Sequence, residues 1–296
     1  MTAAWARIGP TGQGIALRVL AGLLLAAMLA CVKALSDAVP LGQIVFFRAL
    51  FGMIPLVVYL WLRNEFPAGL RTRRPMGHVL RSVLGAAAMF ASFAAVARLS
   101  VAEATLLSYL SPLFLALLAV PFLGERMTSP RAIALGLGMA GVAALTLPDI
   151  AGGWDARRLA GIMLGIAAGI LTALALLQIR RLTSTENPGA IAFYFALVSA
   201  VGGLATLPSG WVTPSAQGMA LLVAAGLFGG LAHIATTLSL KLAEASAIAP
   251  FEYLTLIWAV LTDLLLFGTP VGPAFFLAVP LLLTGAGVAA RGARRR

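Results

Sequence analysis

Arg48, His233, Glu252 and Asp263 interrupt stretches of this 296-residue chain that are otherwise apolar. Each ionised group placed within hydrocarbon costs about 3 kcal/mol on insertion scales, so such residues are candidates for solute binding or ion coupling by default. Glu252 and Asp263 stand eleven positions apart, about three helical turns, which puts them on one helix face. By depth along their segments, Arg48 can pair with Asp263 and His233 with Glu252. Arg48 and Asp263 are therefore candidates for an ion pair or coupling site, with a structural pair or snorkelling to the interface as the plainer reading. Glu252 suits an ammonium group.

Polar stripes accompany these charges. Gly226, Gly230, His233 and Thr237 follow the i, i+4, i+7, i+11 spacing of one helix face. Thr105, Ser108, Ser111 and Pro112 form another, and Pro112 removes the N–H that would hold a backbone carbonyl one turn earlier. With Ser92, Tyr109, Tyr253 and Trp258 added, the candidate substrate-binding set is Ser92, Ser108, Tyr109, Ser111, His233, Thr237, Glu252, Tyr253 and Trp258. The aromatic members suit apolar parts of a solute, and His233 and Glu252 its polar parts.

Catalytic and metal chemistry find no comparable constellation. No carboxylates stand close in sequence, no P-loop lysine is present, and His78 and His233 lie in different segments. Cys31 is the single cysteine, which excludes an intramolecular disulfide and a thiolate cluster. It follows a leucine-rich stretch, but Met28-Leu29-Ala30 fits a lipoprotein cleavage site poorly, and an uncleaved first helix is the reading. No filter-like loop recurs, as a channel would require. The expectation is a non-enzyme without metal or cofactor.

Composition says what must position these residues. The chain is 61% hydrophobic and only 10% charged, with mean hydropathy +0.99, whereas soluble domains carry about 25% charged residues. Apolar stretches of helix-spanning length recur at about 15–35, 41–62, 77–97, 102–123, 131–148, 159–179, 188–208, 216–239, 247–268 and 273–290. The net charge of +11 is unevenly spread. With the N-terminus inside, inner loops and termini hold sixteen of the 21 basic residues, among them Arg7, Arg18, Arg63, Arg71, Arg73, Arg74 and Arg81, and outer loops hold four (Lys33, Arg98, Arg157, Arg158). That bias predicts cytoplasmic termini and an even number of crossings. The basic charge thus orients the protein and implies no nucleic acid; membrane lipid is its expected surrounding, and the Arg294–Arg296 tail suits anionic lipid. Loops are short. Arg63 to Met76 reads as a basic inner loop, and Pro148 to Asp155 as a turn-forming linker with Trp154 as an interfacial anchor. Small residues at Gly136/Ala140, Gly161/Gly165/Gly169 and Gly226/Gly230 read as helix-packing sites.

The chain is also written twice. At a constant offset of 147, residues 14–50 match residues 161–197 at fourteen of 37 positions, including Gly14/Gly161, Gly22/Gly169, Gly42/Gly189 and Phe46/Phe193. At an offset of 144, Tyr109-Leu110 falls on Tyr253-Leu254 and Gly124 on Gly268. Each copy holds five apolar segments, and an odd number forces the second copy to enter the membrane from the opposite side. The expected fold is thus all-α and integral to the membrane, ten transmembrane helices in two inverted five-helix repeats, residues 1–148 and 149–296. Arg48, His233, Glu252 and Asp263 fall on Phe195, Ser92, Ser108 and Ala119 of the other copy. Unduplicated polar groups are free to serve a solute that lacks two-fold symmetry, while duplicated glycines serve the frame.

Leu123-Gly124-Glu125-Arg126-Met127-Thr128, after Leu110-Ser111-Pro112-Leu113-Phe114 and before Gly136 and Gly141-Val142, resembles the EamA branch of the drug/metabolite transporter superfamily. The resemblance covers nearly the whole chain, and the look of the sequence is similar to its YddG-like amino-acid exporters. The second copy departs from the motif, with Phe267-Gly268-Thr269-Pro270 keeping only the glycine. The resemblance implies a cavity walled by spans 3, 4, 8 and 9, with spans 5 and 10 peripheral. The expected activity is alternating-access transport of a small metabolite in the bacterial inner membrane, with amino-acid export foremost, vitamin or nucleotide-type uptake as the alternative, and no obligate protein partner. A non-transporting membrane scaffold is the reading from a different class.

Overall fold

A computed structural model of the chain describes residues 9–123, 127–151, 155–183 and 185–294. These form twelve α-helices and no strand among the described residues: α1 Pro10–Leu35, α2 Leu41–Leu62, α3 Pro75–Val96, α4 Val101–Ser108, α5 Leu110–Leu123, α6 Ser129–Ala151, α7 Ala156–Leu182, α8 Pro188–Leu204, α9 Ala216–Leu242, α10 Ala245–Glu252, α11 Leu254–Leu266 and α12 Pro273–Arg294. All ten apolar stretches are helical. Six regions are long and apolar enough to cross a membrane, namely α1, α2, α3, the α4–α5 pair, α7 and α9; four shorter apolar helices occur at Ala132–Thr146, Pro188–Leu204, Leu254–Leu266 and Pro273–Val288. Large apolar side chains such as Trp61, Leu62, Leu265, Leu266 and Phe276 are exposed on the outside, which suits contact with lipid chains rather than water.

Local chemistry sets the helix ends. Pro10, Pro75 and Pro188 open α1, α3 and α8, where the missing N–H would have no helical partner. Ser100 and Glu103 form a capping box on α4, and Asp155 accepts from the backbone N–H groups of Arg157 and Arg158 at the start of α7. Helix α2 ends where Asn64 takes a left-handed backbone (φ 56°) and Glu65 N–H donates back to Leu60 O, a Schellman-type stop.

Two helices break in mid-course. Between α4 and α5 the break falls at Ser108–Tyr109, where Pro112 lacks the N–H for the Ser108 carbonyl; Ser111 Oγ donates to that oxygen instead, at 2.7 Å. Between α10 and α11 it falls at Tyr253, although Leu256 occupies the position corresponding to Pro112. There Leu256 N–H donates to Tyr253 O in a tighter turn, and Tyr109 Oη donates to the Glu252 carbonyl at 3.1 Å. The rings of Tyr109 and Tyr253 stand 5.5 Å apart. The two breaks meet.

Packing follows the small residues. Helix α1 packs on α9 and α3 on α7; α2 packs on α8 and α9, α8 on α3, and α6 pairs with α12 beside α5. Gly203 on α8 sits so close to α2 that a Cβ there would stand 2.6 Å from Phe46 N. Gly161 and Gly165 pack on Leu99 and Leu107, and Gly226 and Gly230 on Phe51, Gly52 and Pro55. The reading of Gly136 as a packing residue is corrected: it is exposed, and nothing stands within 4 Å of a Cβ built there. The linker reading is also corrected in part, because α6 runs through Pro148 to Ala151. Pro148 removes the N–H that would meet the Ala144 carbonyl one turn earlier, and Arg158 donates to the neighbouring Leu145 carbonyl at 3.3 Å. Trp154 and the Gly124-Glu125-Arg126 step lie outside the described residues.

Candidate functional site

A cavity of about 500 Å³ occupies the middle of the bundle. Along α1 it reaches from Arg18 to Leu29, about 16 Å at 1.5 Å per residue. Its polar lining comprises Ser92, Thr105, Ser108, Tyr109, Thr172, His233, Thr236, Glu252 and Thr255, with Arg18, Arg48 and Arg81. The structure thus brings five of the nine candidate binding residues together: Ser92, Ser108, Tyr109, His233 and Glu252. Ser111 lines an adjoining pocket of about 260 Å³ that shares Ser92, Ser108, Tyr109 and Glu252. Thr237, Tyr253 and Trp258 line none of these cavities. Thr237 Oγ1 donates to the His233 carbonyl of its own helix at 2.9 Å, a common use of threonine in apolar helices. Tyr253 packs on Tyr109, and Trp258 Nε1 is buried without a partner among the described residues.

Neither expected charge pair forms. Glu252 bonds Arg18 at 2.5 Å, with the carboxylate side chain 51% exposed toward the cavity. Asp263 is 1% exposed and caps α4, accepting from Val101 N–H at 2.9 Å and Ala102 N–H at 2.7 Å. The N-terminus of a helix carries unsatisfied donors and partial positive charge, so a buried carboxylate there needs no arginine. Arg48 instead faces the cavity. Gly229 leaves room for its guanidinium, since a Cβ there would come within 2.9 Å of Arg48 Nη2. Arg81 lies with its guanidinium carbon 4.2 Å from the ring centre of Phe195, a cation–π arrangement. Phe195 also meets His233 edge-on, at 6.4 Å between ring centres. Arg48, Arg81, Phe195 and His233 together line a second cavity of about 220 Å³ that continues between α2 and α8.

Arg18 and Arg81 were assigned to inner loops from the sequence, yet both point into the central cavity. The signal that marks them is position: each lies inside a hydropathy-defined stretch, 15–35 or 77–97, rather than beyond its end. The wall is also wider than the expected four spans, because α1, α2, α7 and α8 contribute Arg18, Arg48, Thr172 and Phe195. Helices α6 and α12 supply no lining residue among those described.

Both ends of the bundle are tied. At one end, Lys33 Nζ donates to Leu99 O at 2.7 Å, Arg158 pairs with Glu103 at 2.7 Å, and Gln43 exchanges two hydrogen bonds with Val212. A further cavity of about 550 Å³, lined by Ser36, Arg98 and Arg157, lies there; Phe93 borders both it and the central cavity. At the opposite end, the buried His78 imidazole meets Glu186 at 3.0 Å. An ionised carboxylate only accepts, so the ring donates Nε2–H. That bond, with a further one from Arg73 N–H, holds the Glu186 carboxyl below its ordinary range. No group of three or more His, Cys, Asp or Glu side chains suited to a metal occurs among the described residues.

An all-helical, lipid-facing bundle around a polar interior chamber defines a membrane carrier, and comparison with known proteins agrees. The EamA-like transporter family matches residues 12–147. The pseudopaline exporter CntI of Pseudomonas aeruginosa (strain UCBPP-PA14) is 30% identical over 278 residues, covering 93% of this chain and 92% of the relative. A riboflavin transporter of Rhizobium johnstonii is 30% identical over 248 residues, covering 83% of this chain and 80% of the relative. An S-adenosylmethionine uptake transporter of Rickettsia conorii is 29% identical over 228 residues, covering 76% and 74%. A solved crystal structure superposes with a TM-score of 0.65 at 23% identity, covering 95% of this chain and 98% of that one, a likeness of fold. The chain belongs to the EamA-like transporter family.

Proposed function

We propose that this protein is a secondary transporter of the cytoplasmic membrane that moves a small amino-acid-like metabolite by alternating access, foremost as an exporter. The observation that carries the reading is the central cavity itself. Within a bundle whose outer face is apolar, its wall sets hydroxyls, an exposed carboxylate and three guanidinium groups around a space of about 500 Å³. Such polar groups are retained in a membrane interior where a solute passes.

The ten-helix, two-repeat architecture belongs to the same proposal. It is supported by packing that recurs when the halves are exchanged: α1 on α9 and α7 on α3, α2 on α9 and α8 on α3, α11 on α1 and α5 on α7. Duplicated Gly14 and Gly161 both meet the end of the helix they pack on, at Ala243 and at Leu99. The two broken helices touch at duplicated tyrosines. The excess of basic residues on the side holding Arg63 to Arg74 supports cytoplasmic termini. Rocking of one half against the other would open the cavity to each side in turn, with Phe93 as the wall facing the cavity near Arg98.

Uptake of a larger metabolite is the second reading, favoured by the S-adenosylmethionine uptake transporters among the relatives. Proteoliposomes loaded in turn with labelled amino acids, riboflavin and S-adenosylmethionine separate the two. Protein-dependent flux of an amino acid supports the first, and flux confined to the vitamin or the nucleoside-type solute supports the second. Folded protein that moves no solute would contradict both.

A further inference from the structure

We infer that Arg48 and Arg81 form the anion-binding part of the central cavity, and that the amino-acid-like solute carries a second acidic group, a carboxylate or a phosphate ester. This deepens the transport reading and rests on it. Arg48 is 7% exposed and Arg81 9% exposed. Arg48 Nε and Arg81 Nε and Nη1 are buried with no hydrogen-bond partner among the described residues. Among the described residues neither side chain pairs with a carboxylate, although both border the central cavity and its 220 Å³ extension.

No acid among the described residues is left to meet them. The eight acidic residues whose side chains are described are engaged elsewhere: Asp37, Glu65, Glu103, Glu186 and Glu252 in pairs with Arg157, Arg63, Arg158, His78 and Arg18, and Asp155 and Asp263 as helix caps. Glu244 also has a partner. Two buried guanidiniums without counter-ions are costly, because desolvation is not offset by any partner charge. Their surroundings nonetheless preserve them. Gly229 accommodates Arg48, Gly85 lies 3.0 Å, measured from a built Cβ, from Arg81 Nη1, and the Phe195 ring centre lies 4.2 Å from the Arg81 guanidinium carbon. Planar forks held this way recognise carboxylate and phosphate oxygens in pairs. His233, which lines the cavity beside Phe195, can donate a further hydrogen bond.

The test uses purified full-length protein in detergent at low salt, with succinate, glycerol 3-phosphate and L-leucine as separate probes. Succinate or glycerol 3-phosphate should raise the melting temperature and titrate in calorimetry, while L-leucine does neither; which anion binds more tightly identifies the carboxylate or the phosphate source. R48M and R81M should each raise the melting temperature of the ligand-free protein, by removing an uncompensated charge. Each should also weaken anion binding at least about tenfold, as loss of a charge-assisted bond does. R48K and R81K, which keep the charge but lose the fork, should weaken binding less. Anions that stabilise no better than L-leucine, or Met variants that bind them like the wild type, would overturn the assignment. Flux of a neutral solute unaffected by R48M and R81M would do the same while leaving the transport reading in place. Intact anion binding with no flux of any solute would remove the transport reading alone.

Discussion

Tyr109 donates its hydroxyl hydrogen to the backbone carbonyl of Glu252 at 3.1 Å, so the break in one broken helix satisfies the exposed carbonyl at the break in the other. Replacing Tyr109 with Phe keeps the ring contact to Tyr253 and leaves that carbonyl without its donor. The loss is about 1 kcal/mol, read as a lowered melting temperature in detergent. Because the contact joins the two broken helices, Y109F should also change the rate of solute exchange in proteoliposomes. An unchanged melting temperature would show that the bond is not a constraint on the fold.

Arg18 and Glu252 join α1 to α10 at the cavity wall. With the carboxylate half exposed, the pair contributes on the order of 1 kcal/mol or less to stability, so its substitution should alter transport more than folding. E252Q and R18M should each slow flux at unchanged melting temperature. If Glu252 also carries a coupling proton, E252Q abolishes flux driven by a pH gradient but spares exchange. The exchanged pair R18E/E252R should recover flux relative to either single charge reversal. Equal flux in wild type and E252Q, with and without a pH gradient, would place coupling elsewhere.

Gly203 and Gly136 make a matched pair of helix glycines with opposite surroundings. A Cβ at Gly203 would meet Phe46 N at 2.6 Å and Gly42 O at 2.8 Å, whereas one at Gly136 meets nothing within 4 Å. Gly203→Ala must push α8 off α2 and should lower stability by roughly 1–3 kcal/mol. Gly136→Ala should be neutral or slightly stabilising, since alanine is the better helix former by roughly 1 kcal/mol. Thermal unfolding of the two variants side by side checks both signs.

His78 and Glu186 latch the start of α3 to the segment before α8, while Arg73 N–H donating to Glu186 and Tyr194 Oη donating to Leu70 O at 3.0 Å hold the α2–α3 loop. The bond to His78 lowers the Glu186 pKa in the folded protein. Stability from this group is therefore fully present above the ordinary carboxylate pKa, about 4.3, and is lost as pH falls through the lower folded value. In E186Q that acid-side component should disappear, which melting curves between about pH 3 and pH 6 would register as a flatter profile than the wild type's.

Hydropathy placed every helix because the apolar stretches and the helical segments coincide, and the caps moved the ends by only a few residues. The break at Tyr109 was half legible: Pro112 announces a freed carbonyl, whereas the second copy has Leu256 at that position, and its break at Tyr253 meets the first through Tyr109. Five cavity residues were found by their polarity within apolar helices. Arg18 and Arg81 were missed because a charge one or two turns inside a span reads like a loop charge, and only packing shows whether it points to water, lipid or the interior. The expected Arg48–Asp263 pair failed for a related reason. Depth along a helix can be counted from the sequence, but the competing donors at the start of α4 become visible only when the chain is folded.

Alternating access, as proposed, requires the cavity around Ser108 to open to each side of the membrane in turn. A single cysteine at Ser108 in a Cys31→Ala background, reacted with a membrane-impermeant maleimide in sealed vesicles of each orientation, tests it directly. Labelling should occur from both faces, each blocked by the transported solute. Labelling from one face only, with and without solute and with the protein folded, would contradict it.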